Sequence, residues 1–155
     1  MTLEEAREVL GWQWPDVAAL YEPDMSRMDE EIEWLLTPGY HYQAVRDGRG
    51  ELIGFCCYGE DAQVVGADYT LEALDFGMGL RPDLVGRGLA QDLLREVLAF
   101  GVRQFGATHV RATVVTGNQR SLRMLLRAGF CETQRFYSDD DPPLEFAVLV
   151  RPSVV

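Results

Sequence analysis

Leu80-Arg-Pro-Asp-Leu-Val-Gly86-Arg-Gly88-Leu-Ala90 runs from a predicted strand directly into the most regular predicted helix, and no other part of the sequence is as informative. Pro82 ends the strand, and the two glycines allow a sharp turn that points several N–H groups the same way. The helix that begins near Gly88 adds its unpaired first amides and the positive end of its dipole. The junction therefore indicates an anion site suited to a diphosphate, with Arg81 and Arg87 at its rim.

Other interpretations of these glycines are possible. A P-loop would need Lys and then Ser or Thr after its last glycine, and the chain has Leu89 and Ala90 there. A dinucleotide-binding fingerprint would need Gly or Ala where Gln91 stands. An ordinary strand-to-helix turn stays open on the glycines alone.

The elements around the junction predict one α/β domain over residues 1–155. A strand over 71–80, a helix over 89–105 with one apolar stripe and a strand over 109–115 form a right-handed crossover with parallel strands. The other predicted elements are helices over 3–10, 28–36 and 118–128 and strands over 40–46, 51–58, 130–137 and 144–150. The length of 155 residues is that of a single domain.

Composition limits the classes of partner. The formal net charge of −11 argues against nucleic acid, and no apolar run approaches the length of a membrane span. The three cysteines include no Cys-x-x-Cys pair, so neither a disulfide framework nor a zinc site is expected. Residues 1–80 carry 4 Arg and 17 Asp or Glu, whereas residues 81–135 carry 9 Arg and 4 Asp or Glu. Both solvated helix faces and an anionic ligand in the basic middle third are compatible with this division.

Two blocks of the sequence resemble motifs of the GNAT superfamily of acyl-CoA-dependent N-acyltransferases. The first is the turn ending in Gly88-Leu-Ala90, which is similar to the family's motif A. The second is Asn118-Gln-Arg-Ser121, which opens a helix that ends in Gly129-Phe130. The blocks occur in the family's order with a strand between them, and the resemblance covers roughly residues 40–137.

The resemblance implies an α/β fold with a mixed, mostly antiparallel central sheet and helices on both faces. One parallel pair of strands, 71–80 and 109–115, would splay apart to admit the pantetheine arm of acetyl-CoA, the implied cosubstrate; no metal is implied. The backbone groups that would bind the arm are those of Met78, Gly79 and Leu80. The glycines of this strand, Gly77 and Gly79, would then be explained by a ligand backbone that runs close beside them. The amides that would hold the pyrophosphate are those of Val85, Gly86, Arg87, Gly88, Leu89 and Ala90. Asn118 would point toward the arm.

The chain departs from the family pattern in three places. The family often has Gln or Arg where Val85 stands, so the amides, with Arg81 or Arg87, would hold the pyrophosphate. It often has a Tyr that protonates the leaving thiolate where Leu125 stands. The chain also opens with a predicted helix where the family usually has a strand.

Candidate catalytic residues follow from position and chemistry. An alkylamine has a pKa of about 10.4, so a base must help to remove its proton. Asp75, in the central strand, is the first choice for this base, and Glu72 is a weaker candidate. Tyr137 is the candidate acid, and an amide near Met78 would stabilise the oxyanion. A carboxylate bonded to backbone or arginine, and a packed or surface tyrosine, are the structural alternatives.

We expect an N-acetyltransferase that moves an acetyl group from acetyl-CoA to a primary amine by direct attack, without a covalent enzyme intermediate. The acidic first half favours a small cationic acceptor. A peptide amino terminus is the alternative acceptor, and a non-catalytic acyl-CoA-binding module is the alternative from another class. We also expect a cytoplasmic protein without nucleic-acid or membrane partners, for which a homodimer is possible. Either packing of the first helices or lining of an acceptor pocket would explain Trp12, Trp14, Trp34 and Tyr21.

Overall fold

The computed structural model describes residues 1–153 and joins six strands in one sheet, in the order β1-β2-β3-β4-β6-β5. The strands are β1 (Gln43–Arg46), β2 (Leu52–Tyr58), β3 (Leu74–Leu80), β4 (His109–Val115), β5 (Cys131–Tyr137) and β6 (Glu145–Pro152). The α-helices are α1 (Leu3–Leu10), α2 (Met28–Leu36), α3 (Ala90–Phe105) and α4 (Gln119–Arg127). Neighbouring strands are antiparallel except for β3 and β4, which are parallel. The expected mixed sheet with one parallel pair is confirmed.

Helices cover both faces of this sheet, as two adjacent residues of β2 show. A Cβ atom on Gly54 would lie 3.1 Å from the Leu93 side chain, so this face of β2 carries α3. Phe55 points to the opposite face, since side chains alternate along a strand. There its ring lies 6.3 Å from that of Trp12 and 6.2 Å from that of Trp14, both beyond the end of α1.

The position of α3 is set by close packing against β2. Its apolar stripe, Leu93, Leu94, Val97 and Leu98, is buried in the main core. The Tyr58 hydroxyl donates a 2.7 Å hydrogen bond to the Val97 carbonyl. Gly101 permits this approach, because a Cβ atom there would lie 2.6 Å from the Tyr58 ring. The packing holds the N-terminal end of α3 next to the junction with β3.

Several element boundaries differ from the sequence prediction. β3 begins at Leu74, three residues later than expected, and Leu71 is half exposed before it. β1 begins at Gln43, because residues 38–40 form a 3-10 turn and His41 takes a left-handed conformation with φ 52°. α3 begins at Ala90, one residue later than expected.

No helix within residues 1–153 has the length and apolar character that crossing a membrane requires.

Candidate functional site

The parallel strands β3 and β4 are paired only at their beginning. Leu74 lies opposite Val110 and Asp75 lies opposite Arg111, and β3 makes no further pair with β4 within residues 1–153. β4 continues along β6 from His109 onward. A gap therefore opens between the second halves of β3 and β4.

The backbone of β3 presents polar groups to this gap. The Asp75 carbonyl accepts a hydrogen bond from Gly59 at 2.9 Å, so Asp75 faces β2. Backbone direction alternates along an antiparallel pair, so Met78 and Leu80 face the gap and Gly79 faces β2. The Leu80 carbonyl is occupied by the indole Nε1–H of Trp14 at 2.8 Å. Met78 offers both its N–H and its carbonyl to a ligand, and Leu80 offers its N–H.

Gly79 has a different structural reason from the one we expected. A Cβ atom at this position would lie 2.4 Å from the ring of Phe55, which covers Gly79 from the neighbouring strand. Its backbone groups point to β2 rather than into the gap. The glycine is therefore required by side-chain packing inside the sheet, and Met78 and Leu80 remain to pair with an extended ligand.

The loop after β3 exposes a series of backbone amides. Gly86 and Gly88 have φ of 83° and 79°, a conformation that favours glycine, and a Cβ atom on either would meet open space. Within the described chain, the N–H groups of Gly86, Arg87 and Gly88 donate no backbone hydrogen bond of ordinary geometry. The first hydrogen bond of α3 runs from Leu93 N–H to the Leu89 carbonyl, which leaves the amides before it available to a ligand. These exposed amides are compatible with the anion site that the sequence predicts, and that assignment stays a prediction.

The charge at this loop comes from Arg87 more than from Arg81. Arg81 is paired with Asp83, with 2.7 Å between Nε and Oδ1, and also donates to the Leu52 carbonyl. Hydrogen bonding to Asp83 raises the pKa of Arg81. Arg87 is exposed and has no ion-pair partner among residues 1–153. Arg87 is thus the cation of the loop that is available to an anion.

The second sequence block begins at the opposite side of the gap. Asn118 caps α4, because its side-chain oxygen accepts the Ser121 N–H at 3.2 Å. The Gln91 side chain donates to the Met124 carbonyl at 3.1 Å and ties the start of α3 to α4. Leu125, at the position of the family's tyrosine, is 2% exposed. Because a leucine side chain has no ionisable group, the acid that protonates the leaving thiolate must come from another residue or from water.

A cleft of ≈ 490 Å³ joins this gap to the first helices. On the side of the gap it is lined by Met78, Thr113, Asn118, Ser121 and Leu125. On the side of α1 and α2 it is lined by four aromatic residues and four carboxylates: Trp14, Trp34, Tyr42, Phe55, Glu22, Asp24, Glu31 and Asp61. Trp14 and Trp34 thus line the cleft, Trp12 belongs to the core, and the side chain of Tyr21 lies outside the described residues.

Asp75 is held in a buried ion pair. It is 4% exposed, and its two oxygens accept hydrogen bonds from Arg111 Nε at 2.6 Å and Nη2 at 2.8 Å. Gln63 Nε2 donates a further bond to Asp75 at 2.8 Å. The hydrogen bond with Asp75 raises the pKa of Arg111. Both residues belong to the last paired position of β3 and β4, so the ion pair fastens the point where the gap begins.

The two candidate catalytic residues do not lie together in the cleft. Asp75 is not among its lining residues, although its partner Gln63 is. Tyr137 ends β5, is 65% exposed and does not line the cleft either. Glu72 is exposed before β3. The assignments of base and acid remain predictions. Met78 lines the cleft, and neither Asp75 nor Tyr137 does.

Asp61 and Tyr42, which the sequence did not single out, join Trp34 at the acidic end of the cleft. Asp61 accepts hydrogen bonds from Tyr42 Oη and, at 2.9 Å, from Trp34 Nε1. These residues come from a 3-10 turn, from the segment before β1 and from α2. In the sequence, Asp61 lies in the polar stretch 59–68, which has the composition of a loop and carries no motif of a site.

Burial controls ionisation on this side of the cleft. Desolvation, together with the neighbouring Cys57 and the bond to Asp61, raises the pKa of Tyr42 far above its ordinary value. Burial, with Asp61 nearby, raises the pKa of Cys57 to about 12. Tyr42 therefore stays a hydrogen-bond donor and Cys57 a neutral thiol. No group of three or more metal-ligating side chains occurs in the described part of the chain.

Comparisons with known proteins agree with this geometry. The family model described as Acetyltransferase (GNAT) domain matches residues 1–131. No curated protein matches the chain in sequence. Among solved structures, the chain is similar to a chimera of the spermidine N-acetyltransferase SpeG from Vibrio cholerae and hSSAT, with TM-score 0.73 and 15% identity over 99% of this chain and 93% of that chain.

Two further solved structures share the fold. One is an N-acetyltransferase from Staphylococcus aureus Mu50, with TM-score 0.74 and 16% identity over 99% of this chain and 95% of that chain. The other is a mutant form of the spermidine/spermine N-acetyltransferase SpeG from Vibrio cholerae, with TM-score 0.71 and 14% identity over 99% and 92% of the two chains. These likenesses show the fold, and the family model covers most of the sequence. The protein belongs to the GNAT acetyltransferase family of acyl-CoA N-acetyltransferases.

Proposed function

We propose that the protein transfers an acetyl group from acetyl-CoA to a small cationic primary amine by direct attack. The observation that carries the proposal is a single cleft with two different ends. One end meets the gap in the sheet, where the backbone of Met78 is available. The other end is lined by four carboxylates, which attract a cation and repel an anion.

The residues present fit acetyl-CoA. Met78 and Leu80 would pair with the pantetheine arm as with an added strand, and the amides of residues 85–90 would hold the pyrophosphate. Arg87 adds charge at that loop, and Asn118 lines the cleft from α4. Acetyl-CoA supplies the activated acyl group, whose thioester carbonyl carbon is the site of attack. The N–H of Met78 faces the gap and is the donor best placed to stabilise an oxyanion there.

Direct attack fits the state of the cysteines. A covalent acyl-enzyme would need a thiolate in the cleft, because the thiolate is the nucleophile. Cys57 lines the cleft, but burial raises its pKa to about 12. Cys131 is exposed on β5 and is not part of the cleft lining. The amine itself is therefore the nucleophile that reacts with the thioester.

A small cationic acceptor fits the acidic end better than an anionic one. The similar solved structures named as spermidine N-acetyltransferases act, by name, on a polycationic amine, which supports the same class here. A peptide amino terminus is the alternative acceptor. The roles of Asp75 as base and Tyr137 as acid, a homodimeric state and a cytoplasmic location stay predictions.

The test is release of CoA from acetyl-CoA with a panel of acceptors. The panel contains polyamines, amino sugars, short peptides with free amino termini and anionic amino acids. We expect turnover with small cationic amines and a fall in kcat/KM for them as salt screens the carboxylates. Preference for anionic acceptors would overturn the acceptor class. Binding of acetyl-CoA with no turnover on the whole panel would instead indicate a non-catalytic acyl-CoA-binding protein.

A further inference from the structure

The four carboxylates at the acidic end of the cleft are not equivalent. Glu22 accepts the backbone N–H of Trp14 at 2.8 Å. Asp24 accepts the backbone N–H and the hydroxyl of Ser26, at 3.0 and 2.6 Å, and so serves its own turn. Both carboxylates therefore stabilise local backbone. Glu31 and Asp61 are the two carboxylates of the cleft that do not bind backbone in this way.

Asp61 is the one of these two whose position is fixed. Its oxygens accept hydrogen bonds from Trp34 Nε1 and Tyr42 Oη, and no cation is paired with it among the residues that the structure describes. Two neutral donors hold the carboxylate in place and leave its negative charge uncompensated. The side chain of Glu31, which lies on α2, has no hydrogen-bond partner within residues 1–153.

Asp61 also lies next to the strand that borders the gap. The following residue, Ala62, would lie 4.0 Å from a Cβ atom on Gly77, which directly precedes Met78. The Cys57 thiol would lie 3.1 Å from the same atom and interacts with the Tyr42 hydroxyl. Asp61 is thus followed directly by a residue that lies beside the part of β3 where the thioester would lie.

We propose that Asp61 is the catalytic base and the binding residue for the acceptor ammonium group, with Tyr42 and Trp34 as positioning residues. This inference rests on the proposed function. Asp61 takes the role that sequence position had suggested for Asp75, whose carboxylate is occupied by Arg111 and Gln63.

The reaction balances with Asp61 as a proton acceptor. The ammonium group gives one proton to the carboxylate, and the resulting neutral amine uses its lone pair to form the C–N bond. The C–S bond then breaks, and the thiolate takes the second proton from the nitrogen. Asp61 passes its proton to water, so one amine cation and acetyl-CoA yield amide, CoA thiol and one proton.

The raised pKa of Tyr42 is consistent with this arrangement. Its hydroxyl remains protonated and donates to Asp61 across the whole working range of pH. Asp61 therefore keeps one orientation with an oxygen lone pair left for the substrate, because a carboxylate accepts about four hydrogen bonds.

The experiment compares Asp61→Asn with Glu60→Gln, an exposed carboxylate of the same turn that does not line the cleft. Each variant is assayed with an alkylamine, which is a cation at neutral pH, and with aniline, which is neutral there. We expect Asp61→Asn to lower kcat/KM for the alkylamine by about 100-fold, the usual effect of losing a general base. Turnover of aniline should be unchanged in Asp61→Asn, and Glu60→Gln should behave as wild type with both amines.

Two controls separate the possible failures. Calorimetric titration with acetyl-CoA and thermal unfolding show whether Asp61→Asn keeps its fold and cosubstrate site. Tyr42→Phe should lower kcat for the alkylamine and leave aniline unaffected, a pattern that a general loss of structure would not produce. Equal loss with both amines, or no loss with either, overturns the assignment of Asp61. Absence of turnover in the wild-type protein with every amine would overturn the proposed function instead.

Discussion

Replacing Asp75 by Asn should destabilise the protein strongly, because it leaves Arg111 as an unpaired buried cation. Both side chains are nearly inaccessible, with 3% of Arg111 and 4% of Asp75 exposed. Removing one partner of a buried ion pair costs about 3–5 kcal/mol, against a total stability of about 5–15 kcal/mol for a domain. The variant should therefore lose about a fifth or more of its free energy of unfolding.

The double variant Asp75→Leu with Arg111→Met is the matched control. Replacing both members of a buried pair by apolar residues of similar volume is often close to neutral. Unfolding in urea, followed by circular dichroism, gives the stability of each variant, and calorimetry gives its affinity for acetyl-CoA. We expect the double variant to regain most of the stability and the cosubstrate affinity that Asp75→Asn loses.

The same variants decide what Asp75 does. A loss of less than about 1 kcal/mol in Asp75→Asn would refute the reasoning from burial and hydrogen bonding. If the double variant is stable, binds acetyl-CoA and still cannot acetylate any amine, Asp75 acts as the base that its position in the sequence suggested. If the double variant regains turnover, the ion pair has a structural role and stabilises the pairing of β3 with β4.

Three further predictions follow from the loop, the thiols and β5. Gly86→Ala and Gly88→Ala place a Cβ at positive φ, which costs about 1.4 kcal/mol, and should weaken acetyl-CoA binding about tenfold in calorimetry. Gly48→Ala, which adds a Cβ in open space without positive φ, is the control. The pKa of Cys57 is raised to about 12 by burial, above about 8.5 for an unfolded thiol, so its contribution to stability is complete below about pH 8.5 and falls as pH rises toward 12. Urea unfolding between about pH 8.5 and 12 should show the free energy of unfolding fall, and Cys57→Ala should make that fall smaller. The same pH dependence in the variant and the wild-type protein would contradict the burial argument. If Tyr137 is the acid, Tyr137→Phe should lower kcat by about 100-fold; an unchanged kcat would agree with its place outside the cleft lining and exclude it from that role.

The cosubstrate end of the site could be read from the sequence because it is local. Residues 80–90 carry the strand end, the two glycines and the start of α3 in one continuous stretch. Positive φ at Gly86 and Gly88 confirms the sharp turn that the pattern predicted. The parallel arrangement of β3 and β4 followed in the same way from one strand, one helix and one strand in order.

Other features of β3 depended on neighbours that the sequence does not reveal. Asp75 has the position of a catalytic carboxylate, but its partner Arg111 lies 36 residues later and reaches it only because the two strands are parallel. Gly79 suggested a ligand backbone close by, and the neighbour is the ring of Phe55 on β2. Cross-strand contacts of this kind require the register, which a single sequence does not supply.

The proposed acceptor end was the hardest part of the site to predict from the sequence, because three separate segments form it. Trp34 comes from α2, Tyr42 from the segment before β1, and Asp61 from the turn after β2. Their hydrogen bonds span 27 and 19 residues of sequence, so no local spacing connects them.

This separation has a consequence for specificity. Under the proposed function, cosubstrate binding depends on the main chain of β3 and of the following loop, whereas acceptor binding depends on side chains within residues 1–61. Substitutions at the acidic end should therefore change which amine is used while leaving acetyl-CoA affinity as it is. Changes at Gly86 or Gly88 should lower turnover with every amine to the same degree, because they weaken binding of acetyl-CoA and not of the acceptor.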